Sequence, residues 1–119
     1  DKRTISVTLA LPRQNITVYG VYAPADQTRS KWWNTWKNTH GTTPGEKIVI
    51  GDFNVYAEAE LDSWSVAESH RKDCEEYKKL LEEARLEDAY VLRNPGKREW
   101  TFRQIRNERV TYTARIDTA

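Results

Sequence analysis

The sequence predicts a single domain of the α+β class, and three observations predict it. Residues 4–11 alternate apolar with small polar side chains, the period-two signature of a strand with one buried face. Trp32, Trp33 and Trp36 fall on one helical stripe, and Cys74, Tyr77, Leu80, Leu81 and Ala84 fall on another. Between them lies Lys47-Ile48-Val49-Ile50-Gly51, a short apolar run closed by glycine. Strands and helices thus interleave along 119 residues, a length for one core.

Taken in order, Ile5, Val7, Leu9 and Leu11 alternate with Thr4, Ser6, Thr8 and Ala10, and Pro12 to Asn15 interrupts the pattern. Ile16 to Tyr22 resumes it with β-branched and aromatic residues, so the two segments read as a hairpin that Pro24 and Asp26 end. A helix is expected from about Arg29 to His40, its tryptophans packing on the sheet rather than stacking on bases. Gly41 to Gly45 is a loop, and Lys47 to Gly51 has the form of a strand buried on both faces.

Ser65 with Glu68 three residues later is a capping box opening the second helix. Cys74 in that helix reads as a small buried hydrophobe. The carboxylates Glu82, Glu83, Glu87 and Asp88 read as a solvated helix end rather than a metal cluster. Leu86 to Leu92 is expected as a short buried connection, and Asn94-Pro95-Gly96 as a turn. Trp100 to Ile105 and Val110 to Ile116 then alternate as two strands around the tip Arg106 to Arg109.

Nineteen basic and eighteen acidic residues leave a net charge of +1, which excludes a histone-like or polybasic protein. The charge is unevenly spread: residues 1–57 carry +3, residues 58–88 carry −6 and residues 89–119 carry +4. A basic face for a phosphate backbone is therefore compatible with overall neutrality, as is a solvated acidic helix beside ordinary surface arginines. Only 38% of residues are hydrophobic, but five Trp and six Tyr set the chain apart from a disordered one. A single cysteine permits no internal disulfide and implies a reducing compartment. No apolar run approaches the ~18 residues of a membrane span, so no membrane partner is expected. The charged start Asp1-Lys2-Arg3, leading straight into a strand, reads as part of a longer chain and not as a signal peptide.

Three short motifs could carry chemistry. Gly51-Asp52-Phe53-Asn54 directly follows the apolar strand, where α/β sheets commonly place ligands. Gly51 allows a sharp turn, and Phe53 can return to the core while Asp52 and Asn54 share the other direction. A carboxylate can bind a metal ion or activate water, and a carboxamide can donate to an oxyanion. An Asx turn that merely caps the strand accounts for the same residues. The second motif is Arg115-Ile116-Asp117, with Arg115 and Asp117 on one strand face: the Asp could orient a His or bind metal and the Arg could meet phosphate, or the two could simply form an edge-strand ion pair. The third is Tyr22-Ala23-Pro24, a phenol leaving a strand, able to contact a phosphate oxygen or to sit at the core rim.

Together these motifs are more specific than apart. Val21-Tyr22-Ala23-Pro24 leading to Arg29 and Trp33, then Ile50-Gly51-Asp52-Phe53-Asn54-Val55, Leu86-Glu87-Asp88-Ala89-Tyr90, Asn94-Pro95, Trp100-Thr101-Phe102 and Arg115-Ile116-Asp117 occur in that order. This order resembles the endonuclease/exonuclease/phosphatase superfamily, the metal-dependent fold of deoxyribonuclease I and exonuclease III-like enzymes. The endonuclease domains of LINE-type retrotransposons are the branch it looks most like.

The resemblance implies part of a four-layer αββα sandwich, mostly antiparallel, with two main helices in this chain. It implies hydrolysis of phosphodiester bonds with Mg²⁺ or Mn²⁺, DNA as the partner, and an intracellular, nuclear location. Asp52 matches the carboxylate that positions or deprotonates water and contributes to the metal site. Asn54 matches the carboxamide that holds that water, and Tyr22 the phenol at the scissile phosphate. Asp117 matches the carboxylate that orients a catalytic His, and Thr101 a hydroxyl near the DNA. Arg115 and Arg103 are expected to meet the substrate.

The family's early Asn and metal-binding Glu, and its final Ser-Asp-His segment, have no counterpart in residues 1–119; His40 and His70 match neither position. The chain is therefore expected to be a partial domain, inactive or weakly active alone. A homodimer or a complementary chain would cover its open sheet face. A non-catalytic self-associating or nucleic-acid-binding remnant, and a phosphatase acting on phospholipid or inositol phosphate, are the alternatives.

Overall fold

The computed structural model describes residues 2–55, 68–97, 102–106, 109–114 and 117–118, with side chains at 2–55 and 73–97. Strand β1 (Thr4–Ala10) and strand β2 (Asn15–Tyr22) form the expected antiparallel hairpin, with Val7 opposite Val18. Asp26 prepares the next element: its carboxylate accepts the Thr28 N–H at 2.9 Å and the Thr28 hydroxyl at 2.5 Å. Helix α1 (Arg29–Trp36) follows and runs into a π-helical turn over Lys37–Gly41.

Strand β3 (Glu46–Asp52) lies parallel to β2, with Val18 opposite Ile48 and Tyr22 opposite Asp52. A parallel pair needs a crossover connection, and α1 supplies it. Helix α2 (Glu68–Ala84) and the short helix α3 (Ala89–Arg93) come next. Strands β4 (Phe102–Arg106) and β5 (Arg109–Ala114) form a separate hairpin, irregular at Gln104/Ile105. Strand β6 (Asp117–Thr118) returns to pair antiparallel with the end of β3. The main sheet thus has the order β1-β2-β3-β6. The mixed α and β architecture agrees with the sequence reading, with α1 and α2 as the two main helices.

The core lies between that sheet and the two helices. Tyr19, Val21 and Val49 point from the sheet to Trp33, Trp36, Phe53, Tyr77 and Leu80. The rings meet edge to face, Tyr19 with Trp36 at 5.6 Å and Trp33 with Phe53 at 5.0 Å, the geometry their quadrupoles favour. The Trp33 indole N–H also donates to the Phe53 carbonyl at 3.3 Å, tying the segment after β3 to α1. Two ion pairs join α1 and its π turn to α2: Arg29 with Asp73 at 2.5 Å, and Lys37 with Glu83. The expected stripe on α2 is correct, with Cys74, Tyr77, Leu80 and Ala84 buried.

Three expectations about burial are corrected, the first two in the sheet. The apolar residues of β1 are exposed: Ile5 by 72%, Val7 by 57% and Leu9 by 47%. Strand β3 is not buried on both faces, because Val49 is buried while Ile48 and Ile50 remain 47% and 42% exposed. The register explains both. Val7, Val18 and Ile48 are direct neighbours across three strands, so their side chains share one face, and α1 and α2 cover the other. Leu86 to Leu92 is also not a buried connection. Its second half is α3, capped by the Asp88 carboxylate, which accepts the N–H groups of Tyr90 at 3.0 Å and Val91 at 3.1 Å. None of its residues is buried. Ser65, half of the expected capping box, lies outside the described residues.

Candidate active site at the end of the sheet

The turn after β3 is built by two backbone requirements. Gly51 has φ +138°, and a Cβ there would stand 1.9 Å from the Val21 carbonyl oxygen. Only glycine lets β3 approach β2 this closely. Asn54 has φ +50°, a left-handed conformation that Asn tolerates better than most residues. Between them Phe53 is buried, as the sequence suggested, and Asp52 is half-buried.

Local hydrogen bonds fix the polar pair. The Asp52 carboxylate accepts the Asn54 N–H at 3.0 Å, which is the Asx turn weighed from sequence. The Asn54 carboxamide donates to the Ala23 carbonyl at 2.8 Å, and the Ala23 N–H donates to the Asp52 carbonyl at 2.8 Å. Gly-Asp-Phe-Asn and Tyr-Ala-Pro are therefore joined directly, although about thirty residues separate them. The turn holds Asp52 and Asn54 in one fixed geometry.

Register then aligns three of the sequence-derived residues. Tyr22 is the direct partner of Asp52 across β2 and β3, and Asp117 is the direct partner of Asp52 across β3 and β6. Phenol, carboxylate and carboxylate thus occupy neighbouring positions at one end of the sheet. The Tyr22 side chain is 59% exposed, whereas Tyr19 on the opposite face is buried.

The row continues to a residue that sequence reasoning missed. The Tyr22 N–H donates to the Arg3 carbonyl at 2.9 Å, and an Arg3 guanidinium N–H donates to the Tyr22 carbonyl at 3.2 Å. The guanidinium carbon lies 5.3 Å from the Tyr22 ring centroid, within cation–π range. The available signal was the hairpin itself: counting back from its turn places the residue before β1 beside the last residue of β2.

The other candidates are not brought to this row. Arg103 lies in β4 opposite Thr113, in the separate hairpin, and Thr101 and Arg115 lie outside the described residues. His40 packs against the Tyr19 and Trp36 rings, at 5.2 and 5.7 Å, on the covered face of the sheet. His70 is in the first turn of α2. Two clefts among the described residues lie elsewhere too. One, of about 410 Å³, lies between α1 and α2 and includes Arg29, Asp73 and Tyr77. The other, of about 820 Å³, runs beside β3 and includes Ile48, Leu81, Leu86 and Leu92. Its apolar floor is rimmed by charged residues of α2 and the segment after it, among them Lys78, Glu82, Arg85 and Asp88, and it contains none of Tyr22, Asp52 and Asn54.

Among the described residues, no three His, Cys, Asp or Glu side chains gather as a metal site. Asp52 and Asp117 are register partners at this end of the sheet. Mg²⁺ also takes ligands from water and substrate phosphate, so two carboxylates alone make an incomplete site. Among the described residues, no helix is long and apolar enough to cross a membrane.

No protein-family model and no curated protein matches the sequence. A solved structure does: the endonuclease domain of TRAS1, a telomere-specific non-LTR retrotransposon, superposes with a TM-score of 0.61 at 17% sequence identity. The match covers 98% of this chain and 48% of that one, so the chain spans about half the length of the neighbour. At this identity the likeness concerns the fold, which is similar to that of a retrotransposon endonuclease domain.

Proposed function

We propose that this chain is part of a Mg²⁺- or Mn²⁺-dependent phosphodiesterase, a DNA endonuclease of the retrotransposon type. The observation that carries this reading is the alignment of Tyr22, Asp52 and Asp117 at one end of the sheet, with Asn54 fixed beside Asp52. The likeness to a retrotransposon endonuclease domain supports it at the level of the fold.

Asp52, with Asp117, would hold the divalent ion, which supplies charge neutralisation at the phosphate and a more acidic bound water. Tyr22 would donate from its phenol to a phosphate oxygen. The Asn54 carboxamide, anchored on Ala23, would hold the attacking water with its remaining polar atoms. Phosphoryl transfer depends on such positioning and electrostatics more than on covalent help. A four-layer sandwich would place a second sheet on the open face of Ile5, Val7, Leu9, Ile48 and Ile50, supplied by a second copy or a complementary chain. The isolated chain would then bind more readily than it cleaves.

Duplex binding tests the reading. Fluorescence anisotropy of a labelled duplex is expected to show tighter binding with Mg²⁺ or Mn²⁺ than with EDTA, and Asp52→Ala is expected to remove at least about half of that gain. The affinity should also fall steeply with salt, with a slope of about −0.9 per phosphate contacted. A metal gain that Asp52→Ala leaves untouched contradicts the proposal. Metal-independent binding favours the non-catalytic remnant, and competition by inositol polyphosphate but not by duplex favours the phosphatase. In a supercoiled-plasmid nicking assay, the isolated chain is expected to show no cleavage above Asp52→Ala.

A further inference from the structure

We infer that Arg3, held against the Tyr22 ring, forms an anion subsite at the β1 side of the row, taking a backbone phosphate next to the one that Tyr22 and Asp52 would hold; this rests on the phosphodiesterase reading above. Three observations lead to it.

First, Arg3 is held by main-chain geometry. Its carbonyl accepts from Tyr22, its guanidinium donates to the Tyr22 carbonyl, and its charged plane lies 5.3 Å from the phenol ring centroid. A guanidinium fixed on an aromatic ring loses less freedom on gripping a phosphate than one on a free stem. Its fork of donors also matches phosphate oxygens in a way that an ammonium does not.

Second, the row is polarised. Reading across the sheet, a cation beside β1 is followed by a phenol in β2, a carboxylate in β3 and a carboxylate position in β6. Two adjacent carboxylates repel a polyanion on their own. A cation two strands away, at roughly 5 Å per strand, offsets that repulsion and orients the substrate backbone along the row. The carboxyl of nearby Asp26 lies below the ordinary aspartate range, chiefly through its hydrogen bonds with Thr28, and the Arg3 and Arg29 charges act in the same direction, so Arg3 faces Asp26 as well as the row.

Third, Tyr22 is the aromatic residue of β2 that turns away from the core. Tyr19 of the same strand packs on Trp36, while Tyr22 is 59% exposed with Arg3 against it. The pair stabilises the hairpin end as a cross-strand cation–π contact and leaves both the phenol and the guanidinium at the surface, where a ligand can reach them.

The probe is the dinucleotide TpT, titrated without metal into ¹⁵N-labelled protein and followed by NMR. The Arg3 side-chain N–H and the backbone N–H of Tyr22 are expected to shift together. Arg3→Ala is expected to weaken binding at least about fivefold. Arg3→Lys should recover part of that loss, since it keeps the charge and loses the fork. Asp52→Asn is expected to bind TpT equally or more tightly, because a repelling charge is gone. Equal affinity for wild type and Arg3→Ala, with dispersed spectra from both, overturns the inference, as do shifts confined to the β4–β5 hairpin. A parallel Mn²⁺ titration separates this inference from its parent. Line broadening around Asp52 without an Arg3→Ala effect retains the phosphodiesterase reading and removes the subsite. An Arg3→Ala effect without that broadening does the reverse.

Discussion

Gly51 and Asn54 hold the site in opposite ways, one by lacking a side chain and one by using it. Gly51→Ala would place a methyl group 1.9 Å from the Val21 carbonyl oxygen at φ +138°. The expected cost is at least about 2 kcal/mol in urea unfolding. Asn54→Ala loses the bond to Ala23 and puts alanine at φ +50°, for an expected loss of about 2 kcal/mol. Asn54→Gly keeps the backbone freedom and loses only the bond, so it should be about 1 kcal/mol milder than Asn54→Ala. An order of stability with Asn54→Gly below Asn54→Ala would mean that φ is not what constrains this position. At this scale much was legible in the sequence. A glycine after an apolar strand, followed by Asp, an apolar residue and Asn, implies a tight turn with its polar groups on one side. Arg3 was legible only through the hairpin register, which, counted back from the turn, sets it beside the last residue of β2.

The elements are joined by packing and by a few charges that respond to pH. Lys37, in the π turn, bonds Glu83 of α2 and holds the Glu83 carboxyl below the ordinary glutamate range, first through the hydrogen bond and then through the ammonium charge. A lowered folded-state value means that the stabilisation is complete above the unfolded pKa of about 4.3 and is lost as pH falls through the folded one. The thermal midpoint of wild type is therefore expected to drop more than that of Glu83→Gln between pH 6 and pH 3. Parallel curves for the two proteins would show that the pair does not contribute. Asp88→Ala should cost about 1 kcal/mol locally and speed amide exchange at Tyr90 and Val91. Periodicity made β1, β2, α1 and α2 legible. It failed for α3, where Leu86, Leu92 and the apolar residues between them looked like a buried run while Asp88 supplied an N-cap within it. A single turn of helix is too short to show a period.

At the scale of the whole molecule, the main feature is a sheet with apolar residues on both faces and helices on one. The sequence implied burial of β1 and of both sides of β3, and the structure buries only the side facing α1 and α2. Alternation shows that a face is apolar; it carries no information about which layer covers it. Because Val7 and Ile48 are exposed, Val7→Lys and Ile48→Lys are expected to change stability by no more than about 0.5 kcal/mol while reducing binding of a hydrophobic dye. A loss well above 1 kcal/mol would mean that the face is covered in solution. In the function proposed above, this open sheet ends in a divalent-metal site made by distant segments of the chain. The most direct measurement is paramagnetic broadening of backbone amide signals by substoichiometric Mn²⁺ in wild type and Asp52→Asn. The expected result is broadening centred on Asp52, Asn54, Tyr22 and Asp117 that Asp52→Asn abolishes. Broadening centred instead on Glu82 to Asp88, or unchanged in Asp52→Asn, would contradict that site.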